Sequence, residues 1–91
     1  MRTSSAFRDI EPLAPMHFLV IPKKHVACAA EIDQEMAPTV GHIFAVIAKL
    51  AKEMGFAEGY RVVTNCGADA GQTVQHLHFH VLAGKQLGSF N

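Results

Sequence analysis

Hydrophobic and polar positions repeat with two periods along this chain. Period two is clearest from Gln75 to Leu82, reading Gln-His-Leu-His-Phe-His-Val-Leu, which puts His76, His78 and His80 on one face of a strand and Leu77, Phe79 and Val81 on the other. The same period sets Tyr60, Val62 and Thr64 against Arg61, Val63 and Asn65. The apolar run His17 to Ile21 reads as a strand stopped by Pro22-Lys-Lys-His25. Ala6 to Asp9 reads as a shorter strand, ending at the two prolines of Ile10-Glu-Pro12-Leu-Ala-Pro15. Between these, Met36, Val40, Ile43, Ile47, Leu50 and Met54 step by fours and threes, the apolar stripe of a helix that Phe44 and Ala51 widen toward a second contact. That helix begins between Asp33, a candidate N-cap, and Pro38, which only a first turn tolerates, and it stops at Gly55. Val26 to Ala30 keeps neither period. Four strands in antiparallel order with one helix on a face predict an α+β domain.

Ninety-one residues make a single domain, 1–91, without internal repeat or linker. A domain this short buries a limited share of its surface and is often helped by oligomerisation. With 49% hydrophobic residues, the wide apolar face of the helix serves either the core alone or contact with a second copy, and the small size points to a homodimer. Eight Lys plus Arg balance eight Asp plus Glu, so charge gives no nucleic-acid footprint and no anchor for an acidic membrane. No apolar run approaches the roughly 18 residues of a membrane span. Cys28 and Cys66 form no motif and read as reduced thiols, which places the protein in the cytoplasm.

Composition leaves the histidines as the candidate chemistry. Same-face neighbours on a strand lie roughly 7 Å apart, close enough for imidazoles to act together on one substrate group. A half-buried amphipathic strand would show the same alternation, and His-x-His can also supply two ligands to zinc. No Cys-x-x-Cys, His-Glu-x-x-His or acidic cluster lies beside the strand to complete a metal shell. Phosphate chemistry fits better, because Asn65-Cys-Gly-Ala-Asp-Ala-Gly-Gln-Thr73 is a small glycine-containing turn whose N–H groups and Thr73 hydroxyl suit an anion. Asp9 is a double acceptor, or a cap for the turn after it. Phe7 and Ile10 offer apolar faces to a ligand, or to the core. Asn65 and Gln72 are polar residues at the anion rim. His25, in a basic turn, and His42, beside the helix stripe, carry no comparable case.

The run from Gly71 to Leu82 resembles the His-φ-His-φ-His-φ-φ signature of the histidine triad superfamily of nucleotide hydrolases and transferases, φ being apolar. Phe7-Arg-Asp9-Ile10, the segment from Pro15 to His25, and Tyr60 to Asn65 are similar, in order and spacing, to segments of its Hint branch, the purine nucleoside phosphoramidases. The resemblance implies hydrolysis of purine nucleoside 5′-phosphoramidates through a nucleotidyl-histidine, without cofactor or metal. The alternatives are a dinucleoside polyphosphate hydrolase or a nucleotide-binding regulator with vestigial activity. It makes His78 the nucleophile, His76 the group that orients it or shuttles a proton, and His17 a fourth histidine behind them. His80 and Thr73, with Gly71, Gln72 and Asn65, would hold phosphate, and Phe7, Asp9 and Ile10 the nucleoside. After the triad, Gly84-Lys85-Gln86 is close to the Gly-Gly-Arg/Lys-Gln of the Hint branch. Hint-type proteins carry a further helix and strand ahead of the segment like Phe7-Arg-Asp9, so the domain reads as N-terminally short.

Overall fold

The structure, a computed structural model, describes residues 4–8 as backbone, and 16–56 and 58–88 in full. Four strands form one antiparallel sheet: β1 (Ser4–Arg8), β2 (Met16–Pro22), β3 (Arg61–Val63) and β4 (Phe79–Ala83), in spatial order β1-β2-β4-β3. Helix α1 (Ala37–Glu53) lies on one face, and short 3₁₀ turns occupy Ala29–Glu31 and Ala68–Ala70. The predicted α+β class and the antiparallel order are both observed.

The C-terminal end of α1 is built as its sequence anticipates, and the helix starts within the expected span, but its N-cap is Met36 and not Asp33. Asp33 caps the turn just ahead, its Oδ1 accepting the Met36 N–H at 2.9 Å, and Pro38 sits in the first turn. At the other end Gly55 takes φ +75, which lets Phe56 N–H reach the Ala51 carbonyl at 2.9 Å and Gly55 N–H the Lys52 carbonyl. This paired closure uses the left-handed freedom of glycine to satisfy carbonyls the helix leaves open. Ile43, Ile47 and Ala51 form the buried line of the helix, preceded by Met36. Met54, the last member of the predicted stripe, is 42% exposed because it lies past the final turn.

Alternation decides what the helix meets. Phe18 and Val20 of β2, Phe79 and Val81 of β4, Leu77 before β4 and Val62 of β3 face Ile43 and Ile47 and make the core. Their neighbours in sequence, His17, His78, His80 and Arg61 among them, therefore belong to the opposite face. Phe44 packs edge-on to Phe79, centroids 5.7 Å apart, yet stays 48% exposed.

Two strands are shorter than their patterns predict. β4 begins at Phe79, so His76 and His78 precede it. β3 has three residues, because Thr64 and Asn65 turn their side chains to main-chain carbonyls, Thr64 to His78 and Asn65 to Ala70. The cysteines also depart from expectation. Cys28 and Cys66 are joined in a disulfide with Cα atoms 5.1 Å apart, across 38 residues of sequence. The loops leaving β2 and β3 meet in space, a juxtaposition that no local spacing announces, and the pairing removes the thiol argument for a reducing compartment. Among the described residues no helix is long and apolar enough to cross a membrane.

Ile47 is 1% exposed at the centre of the helix–sheet contact. Ile47→Ala is expected to lower stability by about 2 to 5 kcal/mol through lost transfer energy and an unfilled cavity. Urea unfolding measures this as a lower midpoint at unchanged slope.

Candidate active site

The histidine row is anchored from behind by its apolar neighbours. Leu77 is fully buried and its N–H donates to the Val26 carbonyl at 2.7 Å, tying the approach to β4 onto the loop after β2. With Leu77, Phe79 and Val81 committed to the core, the imidazoles of His78 and His80 come edge to face, centroids 5.0 Å apart.

Each ring is differentiated by its hydrogen bonds. His78 Nδ1–H donates to the main-chain carbonyl of His76 at 2.7 Å. A carbonyl can only accept, so the Nδ1–H form is favoured and the ring lone pair falls on Nε2. A neutral imidazole so arranged carries an Nε2 lone pair able to attack an electrophile. His80 Nδ1 shares a 2.8 Å hydrogen bond with Nε2 of His17, which is 1% exposed and placed by β2 pairing with β4. His17 thus supports His80 rather than His78.

His76 has a different part from the one its place in the triad implies. Its Nε2–H donates to the Pro22 carbonyl at 3.1 Å, and its Nδ1 meets Nδ1 of His25 at 3.1 Å. In the neutral ring both nitrogens are thereby engaged, and it is the main-chain carbonyl of His76, not its ring, that meets His78. Sequence reasoning passed over His25, 51 residues away, because only the folded loop after β2 brings it to His76. Among the described residues no group of three or more His, Cys, Asp or Glu side chains converges as a metal shell would.

The glycine-containing loop curls through its 3₁₀ turn with Gly67 at φ +82 and Gly71 at φ +77, conformations that favour glycine. Asn65 Nδ2 donates to the Ala70 carbonyl at 2.9 Å and holds this turn closed. Gln72 does not face the rim. Its side chain is buried, Nε2 donating to the carbonyls of Ala27 at 2.6 Å and Val74 at 2.9 Å, while Oε1 accepts the Gly67 N–H at 2.8 Å. A primary amide bonded at both ends to main chain is a brace for the loop, not a group turned toward a ligand. Thr73, next to it, is exposed. Asp9 and Ile10 lie outside the described residues, as does the side chain of Phe7. The Phe7 backbone pairs with Leu19, which pairs with His80, so it stands two strands across from the histidines, about 10 Å away.

Known proteins share this arrangement of chain. The structure of a histidine triad protein from Clostridium difficile is 50% identical, superposes with a TM-score of 0.90, and is matched over 94% of this chain and 76% of its own. A HIT family hydrolase from Clostridium thermocellum is 48% identical at a TM-score of 0.87, over 92% and 74%. A histidine triad nucleotide-binding protein from Candida albicans is 32% identical at 0.78, over 98% and 69%. The HIT domain family itself matches residues 2–87, a span that takes in all four strands, the helix and every histidine described above, and the chain belongs to that family.

Proposed function

We propose that this protein is a nucleotide hydrolase of the Hint branch, cleaving purine nucleoside 5′-phosphoramidates to the nucleoside monophosphate and an amine. The observation that carries the reading is the 2.7 Å bond from His78 Nδ1 to the His76 carbonyl, which leaves the Nε2 lone pair on the far side of a ring that lies beside His80. The names of its relatives as hydrolase and nucleotide-binding protein support the same class.

In this reading His78 Nε2 attacks the α-phosphorus, an N–P bond forms, and the phosphoramidate P–N bond breaks as the amine leaves with a proton taken from the surrounding water, which the later hydrolysis returns. Water then hydrolyses the nucleotidyl-histidine, so one difficult displacement becomes two easier ones. His80, backed by His17, and the Thr73 hydroxyl hold the non-bridging oxygens as charge moves onto them. Phe7, Asp9 and Ile10 supply the nucleoside end. Gly71 lets the chain turn close to the phosphate, while Gln72 and Asn65 keep that loop in shape.

His78→Ala is expected to abolish both turnover and the phosphate-labelled enzyme intermediate. His76→Ala keeps the orienting carbonyl, and it is expected to retain measurable turnover, as is Thr73→Ala, since a hydrogen-bonding group contributes roughly 10² to 10⁴-fold. Rapid-quench assays with intact-protein mass spectrometry decide this, and an active His78→Ala would move the nucleophile elsewhere.

The turn Gly84-Lys85-Gln86 that follows β4 is short and small, suited to a compact amine more than to a second nucleotide with several charges. Adenosine or guanosine 5′-phosphoramidate should therefore show a far higher kcat/KM than diadenosine polyphosphates when both are assayed side by side. The reverse order would assign the dinucleotide-cleaving branch.

A homodimer is part of the proposal. Phe44 and Tyr60 are exposed apolar groups, on α1 and just before the edge strand β3, and a two-fold axis would cover them with their own copies. Sedimentation equilibrium at micromolar concentration should give twice the chain mass of 9.9 kDa; a monomer would remove the idea.

A further inference from the structure

The residue read as the nucleophile stands where the sheet has already ended. The β3–β4 ladder closes at Val63 opposite His80, and the β2–β4 ladder at Val20 opposite Phe79. His78 lies just beyond both, with Phe79, which shares the peptide of the His78 carbonyl, paired on the β2 side and unpaired in the β3–β4 ladder. Were β3 to continue, Thr64 would come opposite Phe79 and main-chain bonds would fix this stretch. Instead the Thr64 hydroxyl donates to the His78 carbonyl at 2.7 Å, across 14 residues of sequence. Both residues are half-buried, which shelters the bond from part of the competition with water.

We propose that Thr64 is a positioning residue for His78: its hydroxyl takes over from the ended ladder and fixes the peptide from which the His78 ring reaches back to the His76 carbonyl. The proposal rests on His78 being the nucleophile. Two contacts then define that imidazole. The Nδ1–H bond to the His76 carbonyl spans only two residues, and it closes only for a narrow range of His78 backbone and χ1 angles. The Thr64 bond holds the peptide within that range from the neighbouring strand. Threonine suits the task because branching at Cβ limits χ1, so its hydroxyl is aimed with little loss of freedom. Valine has the same shape and no donor.

A simpler role is available to Thr64, namely satisfying a half-buried carbonyl and so adding stability alone. The two roles separate by measurement. A stabilising bond changes the folded fraction and leaves the folded enzyme's rate alone. A positioning bond changes the state of the His78 ring and the rate of bond formation to phosphorus, because small misplacement of a reacting group costs up to about 10²-fold.

The test compares wild type with Thr64→Val and Thr64→Ser, each checked for folding by circular dichroism. Imidazole ¹⁵N spectra of the substrate-free proteins read His78 directly. Wild type and Thr64→Ser should show a single form protonated at Nδ1, and Thr64→Val a mixture of both tautomers. Single-turnover assays with adenosine 5′-phosphoramidate should show formation of the nucleotidyl-enzyme about tenfold slower in Thr64→Val, with AMP affinity unchanged and most of the rate restored in Thr64→Ser. An unaltered His78 spectrum and rate in Thr64→Val would overturn the proposal, as would a loss that Thr64→Ser fails to restore. If wild type forms no nucleotidyl-enzyme, the hydrolase reading fails, and the ¹⁵N comparison still decides whether Thr64 positions His78.

Discussion

Burial of Leu77, Phe79 and Val81 against Val20, Ile43 and Ile47 is the contact on which the histidine site depends. In an extended chain, each apolar side chain sent to the core sends its neighbours to the other face, so packing this one surface also places His78 and His80. A slip of one residue in register would exchange the two sets, drawing imidazoles into an apolar interior and exposing three large hydrophobic groups. Core stability and site geometry are thus one constraint.

That constraint is also why the sequence revealed as much as it did. The alternation from His76 to Val81, the helix stripe through Ile43 and Ile47, and the stops at Pro22 and Gly55 are all local patterns, and each is found where it points. The pattern nonetheless misjudged strand length. Leu77 is buried and His78 half-buried as alternation requires, although neither belongs to a ladder. Alternation reports which side of the chain faces the core; it does not report whether main-chain groups have partners. At the ends of β3 and β4 those properties part company, and the hydroxyl of Thr64 occupies the gap.

What the sequence withheld are contacts made where loops cross. Gln72 looked like a rim residue because it stands between a glycine and a threonine in an anion-type turn, yet its amide has three main-chain partners inside the protein. Cys28 and Cys66 looked unrelated for the same reason that His25 and His76 did. All four depend on the loop after β2 folding across the approach to β4, a meeting also marked by the Val26–Leu77 bond. No periodicity encodes such a crossing, since it follows from the sheet order β1-β2-β4-β3, in which the second strand and the last become neighbours.

The differing range of the histidine contacts suggests how the site divides its work. The Nδ1–H bond of His78 is made within its own chain two residues back, so it persists wherever this short segment keeps its shape. The bond from His17 to His80 spans 63 residues and depends on the pairing of β2 with β4. Displacement between those strands would thus reach His80 directly through His17, and His78 only through the bonds that tie His76 to Pro22 and Leu77 to Val26. On the roles proposed above, His78 is therefore steadied from the β3 side through Thr64 and His80 from the β2 side through His17, so mutations at these two places act first on different histidines of one site.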